Sequence, residues 1–336
     1  MRSARSLAAL LGCLSVVAAV TAAAPQAVAV PASSTVAAPA AAAVSRPAGR
    51  ALLTAGPGRA APSVGSALTP PAAAAVTATF KVTYHGFTAE AKAAFQRAVQ
   101  VWATRVSSPV PITVDATFTP LGPGILGSAG AGTIWRDFSG APKAGTWYVD
   151  ALANKLHGSQ LAASPDIVAE FSSSFSNWHF GSTAAPAGTY DFTTVVAHEL
   201  GHGLGFLGAG NVAGGRGTVR FQGASPALPV IYDRFTENGA GKSLLSYPDK
   251  STTLAGVLQS NSVFFDSAQV RKSNAGNRAK LYAPATWQSG SSYSHLDEAT
   301  YPAGNANSLM TPVLGKAETM RNPGPITLAL FGTLGW

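Results

Sequence analysis

Apolar and polar positions alternate along Phe80-Lys81-Val82-Thr83-Tyr84, which predicts a strand. The period then lengthens. Ala91, Phe95, Ala98, Val99 and Trp102 recur at helical spacing behind Thr88, a residue suited to cap a helix, and Pro109 stops the run. Ile112 to Phe118 returns to a strand pattern, and Gly122 to Gly132 predicts a glycine-rich loop. Trp147-Tyr148-Val149 and Ile167-Val168-Ala169-Glu170-Phe171 predict short strands. Asp191 can cap a second long helix through Thr194, Val195 and His198 toward Gly205. From Gly208 to Ser294 only short apolar runs interrupt Gly, Pro and Ser. Leu328-Ala329-Leu330-Phe331 after Pro325 predicts a short closing helix. This order predicts an α+β fold, with a mixed sheet and two long helices under an irregular C-terminal lobe.

The first 78 residues follow no such pattern. Arg2 and Arg5 precede an apolar stretch, Leu7 to Val20, and Ala22-Ala23-Ala24 offers a cleavage site. Residues 1–24 are therefore expected to be a signal peptide, and the mature chain to be secreted and extracellular. Cys13 follows Leu10-Leu11-Gly12, as in a lipoprotein box, but the apolar run continues past it and export is the preferred reading. Residues 25–78 hold no acid and no aromatic, so a disordered linker or propeptide is expected. Residues 79–336 then form the folded domain, divided as 79–205 and 206–336 with a long Gly-, Pro- and Ser-rich stretch at 208–294.

Charge changes meaning once it is located. The chain has 336 residues, 11% charged, with a net charge of +8. Five of the 23 basic residues and none of the 15 acids lie before residue 79, so the remainder is near +3. A nucleic-acid footprint loses its support. No run of about 18 apolar residues exists, which excludes a multi-span membrane protein. Cys13 is the only cysteine, so neither a disulfide framework nor a cysteine metal site is available.

The chemistry concentrates in His198-Glu199-Leu200-Gly201-His202. Helical positions i and i+4 share a face, so both imidazoles can reach one metal ion. Glu199 stands one step round, where it can take a proton from water. Gly201, Gly203 and Gly205 follow at costs of about 1 kcal/mol each relative to alanine, which suggests close approach of another backbone and then a reversal of the chain. A catalytic zinc site takes three protein ligands. The spacing leaves the third open among His85, His157, His179, His295, Asp233 and Glu237.

His198 to Phe206 reads His-Glu-Leu-Gly-His-Gly-Leu-Gly-Phe, which resembles the start of the metzincin zinc motif, H-E-x-x-H-x-x-G-x-x-H. Gly208 stands where a typical metzincin has its third histidine. The leishmanolysin group carries an insert before that histidine. The order Ser294-His295-Leu296, Ser308-Leu309-Met310-Thr311-Pro312, Thr327 to Phe331 and Leu334-Gly335-Trp336 resembles the ending of that group. The resemblance covers about residues 191–336. It implies a two-lobed metzincin-like zincin with Zn2+ held by His198, His202 and His295, Glu199 as general base, and Met310 as the Met-turn beneath the metal. Leishmanolysins use a propeptide cysteine for latency, and no cysteine follows Cys13 here. The insert is also long, 92 residues from Gly203 to Ser294.

Other residues invite roles. Tyr293 and Tyr301 flank the implied third ligand and could stabilise an oxyanion or line the cleft. Asp297 and Glu298 could orient a ligating imidazole, or be solvated loop charges. Trp147 and Trp178 read as core, and Gly214-Gly215-Arg216-Gly217 as a turn. The expected protein is a monomeric zinc metalloendopeptidase acting on protein or peptide substrates, without nucleic acid or stable membrane insertion. An extended substrate would pair with an edge strand such as Ile167 to Phe171. A zinc hydrolase acting on a non-peptide or cell-wall amide, and an inactive secreted binding protein of the same fold, are the alternatives.

Overall fold

The computed structural model describes residues 41–45, 50–56 and 77–336. The expected signal peptide and most of the expected linker lie outside them. The described pieces of that linker are strands, Ala42–Ser45 (β1) and Ala51–Ala55 (β2). In these two pieces order replaces the expected disorder, and the propeptide alternative is unaffected. Backbone pairing holds these strands, so the lack of large side chains does not prevent order.

The first part of the domain follows the predicted periods. Phe80–His85 (β3) leads to Ala89–Ala103 (α1). Thr88 caps α1 by accepting from the Ala91 N–H at 3.2 Å. Ile112–Thr119 (β4) follows. Then Ile125–Ala131 (β5) forms where the glycines predicted a loop. Small residues suit β5 because it is buried in the sheet, and Gly127 leaves room for the side chains of Val195 and Glu199 behind it. Thr133–Arg136 (β6) and Tyr148–Val149 (β7) form a small sheet with β1, and Asp150–His157 (α2) follows. Ile167–Ser172 (β8), Trp178–His179 (β9) and Tyr190–Asp191 (β10) lead to Phe192–Gly203 (α3).

The insert is less irregular than predicted. Asn211–Ala213 (β11) and Arg216–Thr218 (β12) pair as a hairpin. Thr236–Asn238 (β13), Val263–Phe265 (β14) and Ala279–Leu281 (β15) form an antiparallel sheet, with Thr252–Leu258 (α4) and Ala268–Ser273 (α5) between its strands. Leu254, Leu258, Val263, Phe265 and Leu281 are fully buried. Short apolar runs thus suffice where each strand contributes one or two core residues. Val313–Leu314 (β16) and Gly324–Leu334 (α6) close the chain.

The main sheet has the order β16-β2-β5-β8-β4-β3, and β5 alone runs antiparallel to its neighbours. β8 is an interior strand, paired with β4 and β5, so it has no free edge to offer a substrate. Helices α1 and α3 pack together, and the Trp102 indole N–H donates to the Ala197 carbonyl at 2.8 Å. Every residue of α3 is buried, as befits a helix with protein on all sides. The architecture is mixed α+β. Among the described residues no helix is long and apolar enough to cross a membrane.

Candidate metal centre

Helix α3 positions two of the histidines. Asp191 caps it, accepting from the Thr194 N–H at 3.0 Å and from the Thr194 hydroxyl at 2.6 Å. Arg321 clamps the same buried carboxylate from the C-terminal region, with Nε 2.9 Å from Oδ2. Its guanidinium also donates to the carbonyls of Gly181, Ser182 and Thr183. Two of the helix glycines admit side chains rather than another backbone. A Cβ at Gly203 would lie 2.4 Å from Ile167 Cγ2, and one at Gly201 2.8 Å from Met310 Sδ. Gly205, at φ +119°, reverses the chain as expected.

The third histidine comes from the far side of the insert. The Tyr282 N–H donates to the His295 carbonyl, and the Leu296 N–H to the Met310 carbonyl at 2.8 Å. These bonds tie the His295 segment to the end of β15 and to the turn at Met310. The ligand atoms of His198, His202 and His295 lie within 4.8 Å of one another, and all three residues are fully buried.

Their geometry suits a metal ion. Nε2 of His202 is 2.8 Å from Nε2 of His198, and Nε2 of His295 is 3.2 Å from both. Each Nδ1 meets a backbone carbonyl: Leu309 at 2.6 Å, Phe206 at 2.7 Å and Ser291 at 2.7 Å. A carbonyl only accepts, so each Nδ1 carries the proton and each Nε2 presents a lone pair. Three lone pairs aimed at one point repel unless a cation lies between them. Tetrahedral ligands at zinc–nitrogen lengths would stand about 3.4 Å apart, close to the spacing found. Burial pushes the His198 imidazole down to about 4. Burial and mutual repulsion push His202 and His295 well below their ordinary value, so all three are neutral ligands at neutral pH.

Glu199 is fully buried beside this cluster. Burial raises its carboxyl well above the usual range, and the backbone of Leu53 and Ala129 and the charge of Arg50 lower it in part. Neither carboxylate oxygen has a well-formed hydrogen bond. Gly127 makes room for it, since a Cβ there would lie 2.9 Å from Glu199 Oε1.

The residues left open by spacing are engaged elsewhere. His85 pairs with Asp115 at 2.9 Å, His157 faces the Ser139 carbonyl and His179 the Thr183 carbonyl. Glu237 pairs with Arg278. Asp233 accepts from the amides of Ala209 and Val230 and from the Tyr293 hydroxyl.

Three further expectations are revised. Tyr293 is fully buried and its hydroxyl donates to Asp233 at 2.8 Å, so it locks the insert and offers nothing to a cleft. Gly208 and Gly210 exist to pass its ring, 2.2 Å and 2.3 Å from where a Cβ would stand. The Tyr301 hydroxyl accepts from the Lys280 amide at 3.3 Å. Asp297 accepts from Thr300 and pairs with Lys280 at 3.3 Å, so carbonyls rather than carboxylates orient the imidazoles. Sequence reasoning missed those carbonyls, Arg321 and Gly127. A carbonyl leaves no residue signature, and an arginine 130 residues from its partner shows no spacing.

No protein-family model, curated protein or solved structure matches this chain.

Proposed function

We propose that this chain is a secreted zinc endopeptidase of the metzincin type. One observation carries the reading: three neutral Nε2 atoms converge, and the carboxyl of Glu199 stands beside them on the same helix. An all-imidazole set with one more coordination position suits catalytic zinc. When bound there, zinc supplies Lewis acidity and lowers the pKa of water to about 7.

The chain's own groups do the rest. The carbonyls of Leu309, Phe206 and Ser291 hold the rings in the ligating tautomer. Glu199, which burial alone pushes toward the protonated form, would be ionised beside such a bound cation. Glu199 then accepts a proton from the attacking water and delivers it to the amine as the carbon–nitrogen bond breaks. Burial of the site strengthens each electrostatic contact.

The test is metal analysis together with hydrolysis of protein and cell-wall substrates, on the intact chain and on chain cut within residues 57–76. One zinc per chain is expected in both forms, and cleavage of protein substrates at least by the cut chain. Glu199→Gln is expected to keep the zinc and lose about 10² to 10⁴-fold in rate. Full activity in that variant, or cleavage of cell-wall amides alone, overturns the reading.

A further inference from the structure

β2 enters the main sheet between strands that are distant from it in sequence. It precedes β3 by more than twenty residues, yet β5, β8 and β4 separate the two in the sheet. Both of its edges are occupied. On one side Ala51, Leu53 and their neighbours pair antiparallel with β5, with Leu53 opposite Gly127. On the other, the amides of Leu52, Thr54 and Gly56 donate to the carbonyls of Gly290, Pro312 and Leu314 at 2.9, 3.1 and 2.9 Å. Without this segment, β5 and the chain around Pro312 would face each other across a slot one strand wide, about 9.5 Å at twice the usual strand spacing.

The slot runs over the candidate catalytic base. Leu53 pairs with Gly127 on β5, and a Cβ at Gly127 would lie 2.9 Å from Glu199 Oε1. With the segment in place Glu199 and the three histidines are fully buried. A hydrolase in this state has no room for a substrate backbone beside its base.

The walls fit an extended peptide. Gly290, at φ +82°, has no side chain where Leu52 passes; a Cβ there would lie 2.6 Å from Leu52 Cγ. Leu53 is buried while Leu52 and Thr54 are half-exposed, the alternation of a strand read on one face. At the head of the segment Arg50 pairs with Glu170, which projects from β8 on the far side of β5. A cavity of about 450 Å³ adjoins this end, lined by Val44, Arg50, Asn211, Arg220 and Trp287 among others.

We propose that Arg50–Gly56 is an internal occupant of the substrate slot, and that Glu170 selects a basic side chain where Arg50 lies. The intact chain is then latent without any cysteine. Its release accepts in the same slot an extended peptide carrying a basic residue followed by small or aliphatic ones. The inference rests on the peptidase reading for its meaning, and its test includes readouts that need no catalysis.

The experiment uses the full chain with a recognition site for an exogenous endoprotease placed within residues 57–76. A second variant, Leu53→Asp, opens the slot without a cut. Three measurements follow: amide exchange at Gly127 and Ala129, binding of a labelled peptide with the sequence of residues 50–56, and hydrolysis of a peptide substrate. After cutting and dilution, or with Leu53→Asp, exchange on β5 is expected to speed up at least tenfold. The labelled peptide is expected to bind and restore protection. Glu170→Arg is expected to weaken that binding at least tenfold, with recovery when the peptide begins with Glu. Hydrolysis is expected to rise at least tenfold on opening. Unchanged exchange and no peptide binding in both opened forms would make β2 a permanent strand and overturn the proposal. Peptide binding that ignores Glu170→Arg would overturn the selectivity. Binding with no hydrolysis of any substrate would leave the slot intact and defeat the peptidase reading instead.

Discussion

Met310 packs its sulfur against Gly201, the residue between Glu199-Leu200 and His202. A side chain at Gly201 would meet Met310 Sδ at 2.8 Å and Trp102 Cζ2 at 3.2 Å. The glycine therefore sets how closely the turn at Met310 approaches helix α3. That approach matters, because the carbonyls of Leu309 and Met310 hold His198 and the His295 segment.

Gly201→Ala is expected to cost about 1–3 kcal/mol in stability through overpacking. It is also expected to weaken zinc binding by moving His198 against Leu309. Combining it with Met310→Ala should recover part of the loss, because the new methyl then has space. Urea unfolding of the four members of the cycle reads this as a favourable coupling. Strict additivity would show that the two residues do not share a constraint.

Metal removal offers the second test. A ligand that binds only the folded state at 100 times its Kd adds about 2.7 kcal/mol. Chelation should therefore lower the melting temperature, and zinc should restore it. His295→Ala should abolish the zinc-dependent rise. His179→Ala should leave it intact, since that ring faces the Thr183 carbonyl. Calorimetry with and without zinc decides between them.

The Arg321–Asp191 pair is buried, with side-chain exposures of 4% and 0%. Removing one partner of such a pair leaves an uncompensated charge, at about 3–5 kcal/mol. Arg321→Met should therefore destabilise the protein by about that much. Arg321→Lys should not restore it, because one ammonium cannot span both carboxylate oxygens and the loop carbonyls at 181–183. Equilibrium unfolding measures both.

Asp150 gives a pH prediction. Burial and the nearby Asp166 carboxylate push its carboxyl up from 3.8 to about 7. One oxygen accepts from the Trp135 indole and the Asn154 amide, while the other is buried without a partner. Between about pH 4 and 7 the unfolded chain has lost this proton and the folded chain keeps it. Stability from this group is therefore full below about pH 4 and is lost as pH rises to 7. Asp150→Asn keeps the accepting oxygen and removes the charge. It should flatten the fall in stability between pH 4 and 7 and make the protein more stable at pH 8. Urea midpoints at pH 5 and 8 test this.

Much of the framework was legible in local pattern. The caps Thr88 and Asp191, helices α1 and α3 and strands β3, β4 and β8 are carried by neighbours within one or two turns of each other. β5 was not legible. Glycine and alanine read as a loop when counted by propensity, and only burial between β2 and β8 makes them a strand. The same limit hid strands β1 and β2, which draw their partners from residues far along the chain.

The sequence by itself determined the helix that places His198 and His202 on one face with Glu199 beside them. That follows from the 3.6-residue period, a property of the local backbone. Only the tertiary structure decided among the six candidates for the third partner, for it alone brings His295 within 3.2 Å across 93 residues. It also decided that carbonyls orient the rings, that Tyr293 and Tyr301 face away into other bonds, and that β2 pairs with the strand that passes Glu199. Those are non-local contacts, set by how the whole chain closes, and no window of residues carries them.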